Sequence, residues 1–495
     1  MAGLTLPMTI ALAGLIANVQ AASTQECCNL VSSISLNVLG EDAQAYETER
    51  TDFWSTTAWL RPSCVFMPQT SSEVAEAVQI MVENDCQLSV KGGGHSTIPG
   101  AANIDDGVLM AMKHINTTEV NIEEGYIRVG SGALFQSIYD TLDPLGLAAI
   151  VGRVGVVGMG MAVGAGISYF TNELGLVVDN VVAYEMVLAN GTFVEVSSTQ
   201  LPDLFWAMKG GNNNFGVVTH LKLRTIETAG AVFGGVITYP EASLDDFGTL
   251  LYDYHVRQAV EAPKTHVLPQ YYYNGTTNTV GAVAAIVYND DVETVPEIQQ
   301  GWMEIDATSN TVQRRETYAD LVDQVRDTSG DGLVQEQRTL TIYADEALMK
   351  DFWQAYHAWL QQYQHIQGLY AIHVQMPITP RAVAQGYANG GNALGFDPAE
   401  NRTLSVIVWS LSIDNIEDTE EILPAHREFI SSMEEMASSR GLLHPYIMLT
   451  YSAHDQPAIA SYGEENVQRL QEIRDIYDPG HVFKTLIPGG QKLQD

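Results

Sequence analysis

The residues best suited to chemistry fall in two glycine-dense stretches. Lys91-Gly92-Gly93-Gly94-His95-Ser96 carries one histidine, and residues 152–166 hold Gly152, Gly155, Gly158, Gly160, Gly164 and Gly166. Glycine has no Cβ, so the backbone N–H groups of such loops can approach a diphosphate closely. The same glycines also suit tight turns in a barrel-like fold. A lone histidine beside a strand is, taken alone, most simply a buried structural one. Generic signatures are missing. Gly158-x-Gly160 has its third glycine at 164, one place late for a dinucleotide fingerprint, and no acidic residue follows a βαβ pattern at the needed distance. There is no Walker A sequence, no HExxH and no GxSxG. Asp327-x-Ser329-x-Asp331-Gly332 opens like a calcium loop, but its twelfth position is Arg338 instead of the bidentate glutamate.

The elements around these stretches read as mixed α and β. Thr70 to Glu73 forms a capping box, followed at helical spacing by Val74, Ala77, Val78, Met81 and Val82. Gln87 to Val90 reads as a strand running into the first glycine loop. A strand at Tyr126 to Gly130 precedes a short helix carrying Leu134, Ile138 and Leu142. Val181 to Leu188 and Thr192 to Val196 read as a hairpin turning at Asn190-Gly191, and Val217 to Leu223 as a further strand. Beyond about residue 230 the strands lengthen, as at Val283 to Tyr288 and Leu404 to Leu411, with a helix around 346–363. A last helix carries Val467, Leu470, Ile473 and Ile476 and stops at Asp478-Pro479-Gly480.

The composition limits the partners. In 495 residues, 60 acidic side chains face 24 Lys plus Arg, a net charge of −36, which opposes phosphate backbones and anionic membrane surfaces; no nucleic-acid partner is expected. Apolar residues at 46 % and charged ones at 17 % leave ample material for a large core. Residues 4–19 form an apolar run ahead of Val19-Gln20-Ala21, which reads as a signal peptide cut after residue 21, with an uncleaved anchor or a buried helix as the alternatives; it is short for a membrane span of about 20 residues. The four cysteines, Cys27, Cys28, Cys64 and Cys86, read as disulfides of a secreted chain. A vicinal Cys27–Cys28 bond is strained, so each of these is expected to reach one of Cys64 and Cys86. No histidine stands at zinc-ligand spacing from them, and no metal is expected. Glycosylation sequons begin at Asn116, Asn190, Asn274 and Asn401.

Taken in order, the motifs resemble the berberine bridge enzyme-like flavoproteins of the vanillyl-alcohol oxidase superfamily, in their secreted fungal branch. Lys91 to Ser96 is similar to the family's R-x-G-G-H-[ST] loop. The resemblance continues in Arg61-Pro62-Ser63-Cys64-Val65, Gly100 to Asp105, Gly164-Ala165-Gly166-Ile167-Ser168 and Asp179-Asn180-Val181. It extends through Asp203 to Gly211, Asn214 to Thr219 and Tyr477 to Phe483, nearly the whole chain after the leader.

The resemblance implies an α+β fold with a PCMH-type, two-subdomain FAD-binding domain at 22–229. A substrate domain of antiparallel sheet and helices would follow at 230–440, and a segment at 441–495 would return to the first domain. It implies FAD joined covalently to His95, with Lys91, Gly92, Gly93, Gly94, Ser96, Gly158, Gly164, Gly166 and Asp179 around it. Lys91 keeps the charge of the family's arginine but not its planar fork. Bicovalent members carry a cysteine in G-x-C-x-x-V-G; here Val154 stands in that place, so the link through His95 is expected to be single. Thr450-Tyr451-Ser452-Ala453-His454-Asp455-Gln456 resembles N-Y-x-x-x-x-Q and makes Tyr451 the expected base, with His454 a second candidate that is expected to face away. Asn392, in Gly390 to Gly395, reads either as a ligand contact or as a turn residue bonding its own backbone. The implied activity is hydride transfer from a small molecule, a secondary-metabolite intermediate, with molecular oxygen as final acceptor. A carbohydrate oxidase or a non-redox cyclase that keeps FAD are the alternatives.

Overall fold

The computed structural model describes residues 22–325 and 332–494. The leader at 1–21 and the calcium-like positions 327–331 lie outside them. Three sheets organise the chain. In the first, Val38–Gly40 pairs antiparallel with Cys64–Phe66, and Cys64–Phe66 and Leu88–Lys91 both pair parallel with Val108–Ala111 between them. The helix Ser71–Glu83 connects two of these strands and begins at the expected capping box, where Thr70 and Glu73 each satisfy the other's backbone N–H. Disulfides Cys27–Cys86 and Cys28–Cys64 tie the helix Thr24–Ser32 to this layer.

The second sheet is antiparallel, in the order Thr118–Asn121, Tyr126–Gly130, Val217–Glu227, Val181–Val187, Phe193–Ser197. Leu147–Ala149 pairs with the far end of its long central strand. Val181–Val187 and Phe193–Ser197 form the hairpin that Asn190-Gly191 announces, with Gly191 at φ +77°.

The third sheet has nine strands between Val232–Pro240 and Leu443–His444, and every pairing in it is antiparallel. One face packs on the helices Leu244–Asp253, Glu346–Leu360 and Thr419–Ser439 through an aromatic core that includes Trp302, Trp353, Tyr356 and Trp409. Beyond residue 444 the chain turns back to the first half. Leu88 N–H donates to the Leu486 carbonyl, Phe483 and Ile487 join the core of the first sheet, and Asn214 bonds the backbone of Gln491 and Leu493.

The closing helix, Glu464–Tyr477, departs from its expected face. Leu470, Ile473 and Arg474 are buried while Ile476 is 65 % exposed. A pure i, i+3 series drifts backwards by about 60° at each step, so by Ile476 it has left the stripe that an α-helix of 3.6 residues per turn keeps inside. Of the sequon asparagines, Asn116, Asn190 and Asn401 are exposed and Asn274 is half-buried at the end of a strand.

Two histidines of the third-sheet module are buried neutral. Burial holds His255 down to about 4, opposed by its bond to the Leu251 carbonyl, and holds His373 down to about 3. Both lie below the unfolded value of about 6.5, so between these limits the unfolded chain binds the extra protons. Their contribution to stability is therefore complete above about pH 6.5 and is lost as pH falls towards 4 for His255 and towards 3 for His373. Denaturant titrations across this range should show wild-type stability falling with acid. The slope should be shallower in His373→Phe by up to roughly 1.4 kcal/mol per pH unit; an unchanged slope would refute the assignment.

Candidate active site

The parallel strand Leu88–Lys91 delivers the first glycine loop, and a buried cation fixes its start. Lys91, 3 % exposed, donates from Nζ to Asp52 Oδ2 at 2.7 Å and lies 4.4 Å from the centre of the Phe53 ring. Burial pushes its pKa down, against the pull of Asp52. The Trp54 N–H donates to the Gly94 carbonyl at 3.1 Å, and the indole stacks on the His95 imidazole with centroids 4.3 Å apart and planes 13° from parallel. Gly94 has φ +70°, and a Cβ there would stand 2.8 Å from the Asp52 carbonyl oxygen.

The second glycine loop crosses the first with nothing between them. A Cβ on Gly93 would lie 2.7 Å from the Gly158 nitrogen, and one on Gly158 would lie 2.6 Å from the Gly93 nitrogen. The helix Phe135–Leu142 holds the second loop in place, because its first amides donate to the Val157 and Gly155 carbonyls at 3.0 Å each.

These loops form one side of a cavity of about 660 Å³. Gly92, Gly93, Gly94, His95, Ser96 and Gly158 all line it. The opposite side is the inner face of the third sheet, where alternate positions point inwards: Leu268 and Gln270, Val283 and Ala285, and Tyr370, Ile372, Val374 and Met376. Tyr451, in the turn Leu449–Tyr451, and Gln491 of the returning tail complete the lining.

Four expected cofactor residues stand outside the lining. Lys91 is spent on Asp52 and Phe53, behind the loop that it anchors. Gly164 is small for packing, since a Cβ would come 2.8 Å from Thr450 Cγ2; Gly166, at φ +83°, makes a turn against Val177. Asp179 is buried and accepts from the Leu176 N–H at 3.0 Å and from Asn392 Nδ2 at 2.7 Å. Burial raises its carboxyl pKa, countered first by that Asn392 bond. Asn392 is thus occupied by Asp179 and also accepts from the Leu394 N–H in its own turn. His454 is exposed and away from the cavity.

The sequence reading passed over Arg153, which the structure brings to Tyr451. Its guanidinium, 5 % exposed, donates to the Tyr451 hydroxyl oxygen at 3.2 Å, to Met376 Sδ at 3.1 Å and to His266 Nε2 at 3.1 Å. Arginine only donates, so His266 accepts and carries its proton on Nδ1; burial, with the nearby guanidinium, keeps that ring neutral. A signal was available, because Arg153 is the only charged side chain between Asp143 and Glu173.

The lining also contains polar atoms that the protein leaves without partners. Trp54 Nε1, Ser131 Oγ and Thr450 Oγ1 are buried, line the cavity and make no hydrogen bond. Buried polar groups are normally satisfied, and these three stand where a bound ligand could meet them. Together with the uncovered backbone of the crossed glycine loops, they fit a long dinucleotide with a flat ring. Among the described residues no cluster of three or more His, Cys, Asp or Glu is placed to hold a metal ion.

Comparison with known proteins agrees with this geometry. The FAD binding domain family matches residues 62–197. An FAD-dependent monooxygenase of Penicillium roqueforti is 30 % identical, with 97 % of this chain and 96 % of that protein aligned. The bifunctional solanapyrone synthase of Alternaria solani is also 30 % identical, over 92 % of this chain and 86 % of that one. Among solved structures, the berberine bridge enzyme-like protein 1 of Physcomitrella patens superposes with TM-score 0.75 at 17 % identity, covering 96 % of this chain and all of that one. The glucooligosaccharide oxidase of Acremonium strictum also superposes with TM-score 0.75, at 18 % identity and over 95 % and 98 % of the two chains. That oxidase carries a 6-S-cysteinyl, 8α-N1-histidyl FAD.

The crossing of the two loops is open to a direct test. Gly93→Ala and Gly158→Ala each force backbone apart and should cost about 1–3 kcal/mol in denaturant unfolding, with loss of bound flavin. Gly160→Ala, which meets nothing within 4 Å, should change neither and serves as the control.

Proposed function

The chain belongs to the FAD-linked oxidoreductases, with a berberine bridge enzyme-like fold, and on that premise we propose that it oxidises a small, largely apolar organic molecule, an intermediate of secondary metabolism. The observation that carries this reading is the wall facing His95. Its inward positions are mainly Val, Leu, Ile and Met, with few hydrogen-bonding groups. A carbohydrate presents hydroxyls on every side and would leave them unpaired against such a surface, at a cost of roughly 1–3 kcal/mol each. An apolar ring system or chain gains from the same burial.

When bound, FAD would supply the acceptor for the substrate hydride, with dioxygen as the final acceptor of both electrons, giving hydrogen peroxide. The protein's part is to hold, orient and manage protons. His95 is the residue assigned to hold the cofactor covalently; its ring stands at the cavity wall, steadied by Trp54. Val154 lines the same cavity and can make no second link. Tyr451 is assigned as the group that takes the substrate's O–H or N–H proton. Its oxygen accepts from Arg153, and it would take that proton as the phenolate, becoming the neutral phenol. Secretion is part of the proposal, supported by the two disulfides and by the exposure of three sequon asparagines.

Acid precipitation of the purified protein should leave the yellow colour in the pellet, and His95→Ala should release it to the supernatant. Colour that stays soluble in wild type would refute the covalent link. Tyr451→Phe should keep the flavin but lower turnover by about 10²–10⁴-fold. Peroxide formed in step with product separates an oxidase from a cyclase, in which product would appear without peroxide.

A further inference from the structure

Among the described residues, Arg153 is a buried cation without a counter-ion. Its polar contacts are the neutral His266, Met376 Sδ and Tyr451 Oη, and no carboxylate among the described residues pairs with it. The titratable groups that sense its charge are Tyr139, Tyr169, Tyr254 and His266. None of these is acidic in the ordinary range. Among the described residues the cavity it faces is lined by no other Arg or Lys and no Asp or Glu, in a chain whose net charge is −36.

An isolated charge in an apolar interior is costly unless an anion meets it. Here the acceptors supplied by the protein are an imidazole, a thioether and a phenol, and each provides only one lone-pair contact. The sheet wall beside the guanidinium is apolar at Leu268, Val374 and Met376, and such surroundings strengthen an ion pair formed there. A planar guanidinium also matches a two-oxygen anion in a way that no neutral acceptor does.

We propose that Arg153 is the substrate-recognition residue of this site, and that the substrate is an organic acid: an apolar skeleton bearing a carboxylate or an equally acidic, delocalised oxyanion. Docking that anion on Arg153 places the rest of the molecule along the sheet face, with Tyr451 beside its anchored end. This deepens the oxidoreductase reading and rests on it for the identity of the site.

The probes are naphthoate and its neutral counterpart naphthamide, titrated into the protein as purified near neutral pH and followed by tryptophan fluorescence and calorimetry. Naphthoate should bind at least about tenfold more tightly than the amide. Arg153→Gln should abolish that preference, and Arg153→Lys should retain part of it. Equal affinities in wild type overturn the proposal and show that the cofactor or Tyr451 already satisfies the cation. So does failure of naphthoate to bind at millimolar concentration, or a preference that survives Arg153→Gln. The wild-type comparison needs no variant to fold. Flavin retained in the acid pellet is scored on the same sample, so loss of the flavin reading and loss of the acid preference are separate results.

Discussion

The whole site depends on a contact between two backbones. Gly93 and Gly158 approach so closely that neither can carry a side chain, and each belongs to a loop held by a different framework. The first loop leaves a parallel strand and is pinned by Lys91 and Trp54; the second is gripped by the amides that open a helix. Their crossing joins the first sheet to the second-sheet layer and exposes backbone at the floor of the cavity. Glycine is required here because the close approach permits nothing else, whereas at Gly94 a left-handed turn adds a second reason.

Charge is distributed against the trend of the molecule. An acidic protein places a buried lysine behind the first glycine loop and a buried arginine at the cavity, and among the described residues only the lysine is given a carboxylate. The two cations therefore do different work. Lys91 is paired with Asp52 and acts as a structural post; Arg153 donates only to neutral acceptors and lines the cavity. Neighbouring histidines follow the same logic, since His266 accepts from Arg153 only because burial keeps it neutral.

Much of this was legible in the sequence, for reasons that can be stated residue by residue. The loop Lys91 to Ser96 could be read because close backbone approach demands glycine, and the hairpin at Asn190-Gly191 because left-handed φ angles demand it too. The cysteines could be read as disulfides, but their partners depended on how the helix Thr24–Ser32 docks, which is a tertiary fact. Gly164, Gly166 and Asp179 stand outside the cavity lining, since a motif shows that a residue is constrained without showing by what. Arg153 was visible as a lone charge in a long neutral stretch, but its meaning required Tyr451 and His266, nearly 300 and over 100 residues away, to arrive beside it.

The pleat of the strand Tyr370–Ile378 divides its residues by parity. Ile372, Val374 and Met376 face the cavity, while Ala371, His373 and Gln375 face away from it and are buried among the helices' side chains. Evolution can therefore reshape the chamber through even-numbered positions while odd-numbered ones keep the domain folded. The strand is in effect two independent genetic tracks written on one backbone. A family built this way can diversify its chemistry quickly without reopening the question of how the protein holds together.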